Sequence, residues 1–158
     1  MYCPICGAVS ISKAEPNAPV KDYVCKHCKA QYELKSKRAN TNKYSTKVDD
    51  GVYRTMIDRI TTLDNPSFFF LHYDRYAVNN LIIVHKCFFV PDVIEKRIPL
   101  PATARRAGWE VCNILLGKVP EATKLRDHER LNYSRMLACC RSYPIARTRP
   151  CKYIYPFD

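Results

Sequence analysis

The pattern of apolar and polar residues predicts that much of this chain forms short strands. Over residues 20–24 and 30–36 the two kinds roughly alternate, as they do in half-buried strands. Later stretches are denser in aromatic and β-branched residues, which favour extended structure. The strands predicted from these later stretches are 68–73, Val78–Val84, 88–90 and 111–116.

One helix is predicted between the early and the later strands, after a polar and basic loop at 37–47. Asp49 or Asp50 would cap its N-terminus, and Asn65 and Pro66 would follow its end at about residue 63. The apolar stripe of this helix would consist of Val52, Met56, Ile60 and Leu63. The helix would therefore be amphipathic, with one side against a core.

The character of the chain changes after about Val119. Residues 120–158 contain four Pro, three Cys and no Gly, and they show neither a helical nor a strand period. We therefore predict one domain over 1–119 and a divergent tail of unassigned structure over 120–158.

Two Cys-x-x-Cys pairs predict a structural zinc site. The pairs are Cys3/Cys6 and Cys25/Cys28, and the 18 residues between them fall in the spacing typical of such sites. Four thiolates form the closed tetrahedral shell that zinc takes when it stabilises a fold. The alternative is that these cysteines are free or disulfide-bonded. His27 is the rival ligand, although we expect it to face solvent.

Two acidic residues and a lysine are expected on one face of the strands beside the second cysteine pair. Residues two apart in a strand project to the same side, so Gln31, Glu33 and Lys35 lie together. If Cys25–Cys28 forms a four-residue turn, Asp22 pairs with Gln31 and lies diagonal to Glu33. The cysteine turn would then set the register that brings the carboxylates and the ammonium together.

The two carboxylates and the lysine together suit metal-dependent phosphodiester hydrolysis. Two neighbouring carboxylates repel each other unless a cation joins them, which a Mg²⁺ site supplies. Such a cation neutralises charge on a scissile phosphate and activates water, and a nearby lysine can orient that water. The alternative for Asp22, Glu33 and Lys35 is an ordinary charged strand face with a surface salt bridge.

The amino-acid composition restricts the partners and the cellular compartment that we expect for this protein. Lys and Arg exceed Asp and Glu by 26 to 15, and the resulting net charge of +11 favours polyanionic partners or a solvated basic surface. The N-terminus has no apolar signal region, and the apolar runs are too short to span a bilayer. Nine cysteines, an odd number, suit a reducing compartment. Two of them, Cys87 and Cys112, fall in apolar strand patterns and are expected to be buried. We expect an intracellular, cytoplasmic protein with no membrane contact.

Several ordered stretches of the chain, from Tyr2 to about Pro120, resemble the DpnI/Dam-replacing family of methyl-directed type II restriction endonucleases, of the PD-(D/E)xK superfamily. Beside the cysteine pairs, the stretches that carry the resemblance are Tyr32-Glu33-Leu34-Lys35-Ser36-Lys37, Asp50-Gly51, Asn65-Pro66-x-Phe68-Phe69-Phe70-Leu71, Asn79-Asn80, Pro101-Ala102-Thr103-Ala104-Arg105-Arg106-Ala107-Gly108-Trp109 and Cys112-Asn113-Ile114. A match of this length and order is more specific than any of its parts.

The resemblance implies an α/β restriction-endonuclease core, a mixed β-sheet with flanking helices and a four-cysteine zinc-binding insertion. It also implies Mg²⁺-dependent cleavage of double-stranded DNA at GATC sites that carry N6-methyladenine. Asp22 and Glu33 would bind the catalytic Mg²⁺, and Lys35 would assist the attacking water. The zinc of the cysteine pairs would be structural.

The same resemblance implies a DNA-reading surface. Trp109 matches an aromatic residue that reads the methylated adenine, and a flat indole can pack on a methyl group in the major groove. Lys37, Arg105 and Arg106 would contact DNA. The alternatives are a core or surface aromatic at Trp109 and a solvated basic turn around it. No protein partner is evident.

Longer members of the family end in a winged-helix domain, and no basic amphipathic pattern of that size follows Val119. We therefore expect a catalytic domain without the winged helix. Two other functions stay open from the sequence. One is a zinc-containing reader of methylated DNA that does not cleave, and the other is an inactive, truncated remnant of such a nuclease.

Overall fold

A six-stranded sheet and a three-stranded sheet form the framework of the protein. The computed structural model describes residues 3–38, 45–75 and 78–119 and the backbone of 124–126. The strands are β1 (Ser12–Lys13), β2 (Tyr23–Val24), β3 (Gln31–Arg38), β4 (Val48–Val52), β5 (Ser67–Tyr73), β6 (Val78–Val84), β7 (Ile94–Lys96), β8 (Val111–Ile114) and β9 (Lys124–Arg126). The α-helix of this described part is α1 (Tyr53–Ile60), and 3-10 turns lie at Lys86–Phe88, Pro91–Val93 and Leu116–Lys118. The predicted α/β class is confirmed.

The larger sheet is mixed, with strand order β1-β2-β3-β5-β6-β9. β3 and β5 pair in parallel, whereas its other neighbouring strands pair antiparallel. The smaller sheet has the order β4-β8-β7 and is antiparallel throughout. α1 follows β4 directly and connects the smaller sheet to the central strand β5.

Strand β5 is buried on both faces, because its aromatic residues alternate between two cores. Phe68 and Phe70 pack in the main core with the helix, the smaller sheet and Phe89, and the Phe68 and Phe89 ring centroids are 3.9 Å apart. Phe69 faces the other way and stacks on Tyr32, at 4.9 Å between ring centroids. The second core also contains cysteines of both pairs.

The helix begins later than the sequence predicted. α1 starts at Tyr53 with Val52 as its N-cap, and this cap makes no side-chain hydrogen bond. Asp49 and Asp50, predicted as caps, lie instead in β4, which pairs with β8. The Tyr53 N–H donates to the carbonyl oxygen of Glu110 at 2.9 Å, so a neighbouring backbone replaces the expected carboxylate cap.

The predicted apolar stripe of the helix is confirmed for Met56 and Ile60 and wrong for Leu63. Met56 and Ile60 are buried in the main core. The helix stops at Ile60, with Thr61 as its C-cap, and Leu63 is 73% exposed. Leu63 therefore lies beyond the last helical turn, where the helical period no longer determines burial.

Two strand predictions are confirmed at the centre of the sheet, since 68–73 lies within β5 and Val78–Val84 is β6. The strand predicted at 30–36 is confirmed with shifted ends, since β3 begins at Gln31 and ends at Arg38. The strand predicted at 88–90 is wrong, because the apolar run there continues the 3-10 turn Lys86–Phe88. The last strand ends at Ile114 rather than at residue 116, where another 3-10 turn begins.

The strand predicted at 20–24 is shorter than expected. Val20 has a φ of 45°, in the left-handed region that β-branched residues rarely adopt, so the extended chain cannot begin there. β2 comprises only Tyr23 and Val24. The predicted loop at 37–47 overlaps the end of β3, and its residues 39–44 lie outside the described residues.

The proposed boundary between the domain and its tail stays a prediction. Most of 120–158 lies outside the described residues, apart from β9, whose backbone pairs with β6. In the described segments, no helix is long and apolar enough to cross a membrane.

Replacing Phe89 by Ala should destabilise the fold by about 3–5 kcal/mol, because it leaves a cavity against two stacked rings of the main core. Leu63→Ala is the control, since its exposed side chain should change the unfolding free energy by less than about 0.5 kcal/mol. Urea denaturation measures both values. Equal losses in the two variants would contradict the assignment of the core.

Candidate active site and metal centre

The four cysteines of the two pairs form one cluster. The sulfur atoms of Cys3, Cys6, Cys25 and Cys28 all lie within 4.8 Å of one another. The Sγ atoms are 3.6 Å apart for Cys3 and Cys28 and 3.7 Å apart for Cys6 and Cys25. His27 is exposed, as predicted for a residue that faces solvent. The predicted grouping of the four thiols is therefore confirmed.

Both cysteine turns have the same backbone geometry. In the first, the Cys3 N–H donates to Ala8 at 2.8 Å and the Gly7 N–H donates to Cys3 at 2.9 Å. In the second, the Cys25 N–H donates to Ala30 at 2.8 Å and the Lys29 N–H donates to Cys25 at 2.9 Å. Gly7 and Lys29 hold the equivalent left-handed positions, with φ of 72° and 60°. Two equal turns facing each other present four sulfur atoms to a common centre.

The dimensions of the cluster fit zinc. A Zn–S distance of about 2.3 Å places the sulfurs of a tetrahedral site about 3.8 Å apart, close to the separations seen here. Burial raises the pKa of Cys3 and of Cys28. Burial opposes ionisation of Cys25 as well, but hydrogen bonds from the backbone N–H groups of Cys28 and His27 lower its pKa to about 7. A bound divalent cation would stabilise all four sulfurs as thiolates.

The register of β2 and β3 differs from the prediction. A four-residue turn would pair Val24 with Lys29, whereas the structure pairs Val24 with Gln31 and Tyr23 with Tyr32. The turn is longer because the Cys25 N–H bonds to Ala30, which closes a loop of six residues. Since the shift is two residues, each side chain keeps its predicted face.

Asp22 consequently lies beside Glu33 rather than diagonal to it. Its backbone N–H donates to Tyr32 at 2.9 Å, and its Oδ2 accepts from the Leu34 N–H at 2.7 Å. The two contacts flank Glu33 in the chain, and the charge of Asp22 contributes to the raised pKa of Glu33. The predicted proximity of the two carboxylates holds, although the predicted pairing of Asp22 with Gln31 is wrong.

The cysteine cluster and the carboxylates lie on opposite faces of β3. Tyr32 and Leu34 belong to the core that contains the cysteines, and the Tyr32 hydroxyl is 3.0 Å from Cys3 Sγ. Glu33 and Lys35 alternate with them and face the smaller sheet. A metal among the cysteines would thus orient β3 from behind, without contact with the acidic group.

Lys35 is held between carboxylates of both sheets. Its Nζ is 2.6 Å from Glu33 Oε1, on its own strand, and 2.6 Å from Asp50 Oδ1, on β4. These three side chains are largely buried, at 10% exposure for both acids and 18% for the lysine. Asp22, by contrast, is exposed at the rim of this cluster.

The structure adds Asp50 to the candidate site, although the sequence predicted this residue as a helix cap. Its Oδ1 also accepts from the Gly51 N–H at 2.7 Å, and its buried Oδ2 has no hydrogen-bond partner among the residues that the structure describes. The signal was misread, because an aspartate before an apolar period resembles a helix cap. The Asp50-Gly51 pair within the family resemblance could have identified it.

Burial and charge act in opposite directions on the central pair. Desolvation raises the pKa of Glu33, and the nearby Lys35 ammonium only partly offsets this effect. Burial alone would lower the pKa of Lys35, but the carboxylates of Asp50 and Glu33 reverse the shift and raise it. The geometry therefore keeps the lysine charged inside a partly buried site.

Cys112 lies next to this site, since it pairs with Asp50 across β4 and β8. It is fully buried, as predicted. Burial and the Asp50 charge raise the pKa of its thiol to about 12, so it stays protonated at neutral pH. Cys87, also predicted to be buried, is only partly so.

The hairpin between β7 and β8 carries the residues expected to read DNA. Its end is closed by backbone bonds from the Leu100 N–H to Trp109 and from the Gly108 N–H to Leu100, at 3.0 and 2.9 Å. Trp109 is 44% exposed, and the Arg106 guanidinium lies over its ring at 4.7 Å from the centroid. Arg105 is also exposed. The core alternative for Trp109 is therefore excluded.

Lys37 lies further along β3 than Lys35 and is exposed. A cavity of about 220 Å³ opens beside both lysines, and its lining also includes Lys47, His72 and one acidic residue, Asp49. The cavity is thus basic and adjoins the buried lysine, an arrangement that suits an anionic ligand.

The clustered thiols and the buried lysine between carboxylates agree with the family resemblance of the sequence. Comparison with known families tests that resemblance. The model of the DpnI, Dam-replacing family matches residues 1–134, so the chain belongs to the Dam-replacing family. Membership implies a nuclease, and hence a hydrolase, of the methyl-directed restriction type. The match continues past Pro120, where the residue-by-residue resemblance ends.

We expect purified protein to contain one zinc ion per chain, measured by elemental mass spectrometry. Cys6→Ser should lose the zinc and lower the melting midpoint by about 6–12 °C, which corresponds to about 3 kcal/mol for a chain of this size. Cys87→Ser, outside the cluster, should keep the zinc. Zinc-free folded wild-type protein, or full zinc in Cys6→Ser, would disprove the assignment.

Proposed function

We propose that the protein is a Mg²⁺-dependent endonuclease that cleaves double-stranded DNA at GATC sites containing N6-methyladenine. The observation that carries this proposal is the Lys35 ammonium between Glu33 and Asp50, with Asp22 beside Glu33. Membership of the Dam-replacing family supplies the methyl-directed restriction class. Metal-dependent phosphodiester cleavage uses a cation site and a group that orients the attacking water, and this cluster offers residues for each.

The donor set suits Mg²⁺. Asp22 and Glu33 supply carboxylate oxygens, the ligands that this hard cation prefers. The buried Asp50 Oδ2 has no hydrogen-bond partner among the described residues, so a cation bound by Asp22 and Glu33 would also offset the charge of this nearby carboxylate. A Mg²⁺ held there would neutralise charge on the scissile phosphate and lower the pKa of the attacking water.

Lys35 would assist the attacking water. An ammonium has three N–H donors, and two of them point to Glu33 and Asp50. The third can donate to a water or to a phosphate oxygen at the open side of the cluster. Its charge would stabilise the negative charge that develops during attack.

Recognition of the methyl group would come from the hairpin. A methyl group forms no strong hydrogen bond, so an apolar surface must sense it, and Trp109 exposes part of an indole. The guanidinium of Arg106 lies over the indole and would hold it in place through a cation–π contact. Arg105 and Lys37 would contact phosphates, in keeping with the net charge of +11.

The decisive test uses plasmid from Dam-methylating and non-methylating hosts, incubated with the purified chain and Mg²⁺. We expect cleavage of the methylated plasmid only. Glu33→Gln should slow cleavage at least about 100-fold, because it removes a charged metal ligand while keeping the side-chain shape. Glu15→Gln is the control, since this exposed carboxylate belongs neither to the cluster nor to the hairpin of Trp109.

A methylation-dependent mobility shift without cleavage would show a reader of methylated DNA and contradict the nuclease proposal. Absence of both, in soluble, folded and zinc-loaded protein, would support the inactive remnant. Cleavage of both plasmids alike would keep a nuclease and contradict methyl direction.

The two neighbouring arginines provide a matched test of methyl recognition. Arg105→Gln and Arg106→Gln remove the same charge, but only Arg106 stacks on Trp109. We expect both to weaken DNA binding similarly, whereas only Arg106→Gln should reduce the preference for methylated DNA, by about twofold to fivefold. Trp109→Ala should reduce that preference further. Equal preferences in the two arginine variants, measured by fluorescence anisotropy with Ca²⁺ in place of Mg²⁺, would contradict a role for the stack.

A further inference from the structure

We propose that Asp50 is the positioning residue of Lys35, holding the ammonium in the direction that it needs for catalysis. The inference rests on the nuclease function proposed above and adds a residue outside its Asp22, Glu33 and Lys35 set. It also assigns a role to the smaller sheet, because Asp50 reaches the cluster from β4.

The contact between Asp50 and Lys35 is well defined. The two side chains meet at 2.6 Å and are mostly shielded from solvent. Asp50 is itself fixed, since the same Oδ1 accepts from the Gly51 N–H at 2.7 Å. A carboxylate oriented by its own backbone gives the flexible lysine side chain a rigid partner.

Glu33 alone cannot provide this control. It lies two residues from Lys35 on the same strand, so both side chains project from the same face of β3. As a metal ligand it would also share its negative charge with the cation, which weakens its hold on the ammonium. Asp50 approaches from the opposite sheet. Because two N–H groups of the ammonium then donate to Glu33 and Asp50, the direction of the third N–H is fixed.

Charge balance supports the same assignment. Asp22, Glu33 and Asp50 carry three negative charges against one positive charge on Lys35, which leaves two to be matched by a divalent cation. If Glu33 and Asp22 serve that cation, Asp50 is the carboxylate left to pair with the lysine. A buried ammonium without any partner would be costly.

The first test is Asp50→Asn, which keeps the side-chain size and an oxygen that can accept from Lys35 while removing the charge. Single-turnover cleavage of a methylated GATC duplex should slow at least about 10-fold. Affinity for that duplex in Ca²⁺, and the Mg²⁺ concentration for half-maximal rate, should each stay within about threefold. Asp50→Glu, which restores the charge, should be faster than Asp50→Asn.

Asp58→Asn is the matched control, because this aspartate has an exposed side chain on α1 and pairs with Arg54. Its cleavage rate should stay within about twofold of wild type. The inference is overturned if Asp50→Asn cleaves as fast as this control, or if Asp50→Glu is no faster than Asp50→Asn. It is also overturned if excess Mg²⁺ restores the rate of Asp50→Asn, which would make Asp50 a metal ligand.

A second readout does not depend on cleavage. Melting midpoints of Asp50→Asn, Lys35→Met and the double variant should be non-additive, the double losing about as much as the worse single variant, because the residues share one contact. Additive losses would overturn the inference. Wild-type protein that fails to cut would refute the proposed function, while this cycle would still decide whether Asp50 holds Lys35.

Discussion

Alternation of side chains along β3 is the constraint on which the site depends. Successive residues of this strand face opposite ways, so Tyr32 contacts the cysteine cluster while Glu33 lies in the acidic group. The cysteine turn also closes the connection between β2 and β3, which places Asp22 beside Glu33. A zinc ion bound to these cysteines would shape the site from the opposite face of the sheet and would take no part in the chemistry.

The second constraint is the packing of the two sheets around β5. Phe68 and Phe70 fill the space that has the larger sheet on one side and the helix and the smaller sheet on the other. This core sets the distance at which Asp50 reaches Lys35. Placing these charges in a partly buried site costs desolvation energy, so the cluster is not expected to stabilise the fold. Since the fold does not require these partly buried charges, a functional role explains their presence better.

Much of the fold could be predicted from local sequence. The central strands were identified because aromatic and β-branched residues are concentrated there, and the four cysteines because their spacing is specific. The helix start was misplaced because a strand-borne aspartate before an apolar period resembles a cap. β1 and β7 were missed because they contain only two and three residues. β4 was missed because it is polar and pairs with β8, far along the chain.

The acidic site was predictable only in part, for the same reason. Asp22, Glu33 and Lys35 lie on adjacent strands joined by one turn, so a local register argument brings them together even when the register is wrong by two residues. Asp50 joins them through contact between sheets, which local periodicity cannot reveal. The prediction of the turn failed because the Cys25 N–H bonds to Ala30, a backbone contact that the spacing of the cysteines does not reveal.

Hydrogen exchange at the Leu34 amide tests the central claim most directly, because this N–H donates to Asp22 Oδ2 and so reports the arrangement of the acidic site. The account predicts strong protection in zinc-loaded protein and loss of protection after zinc is removed, while amides of β8 in the smaller sheet remain protected. Equal protection of Leu34 with and without zinc would contradict the claim that the cysteine cluster sets the site.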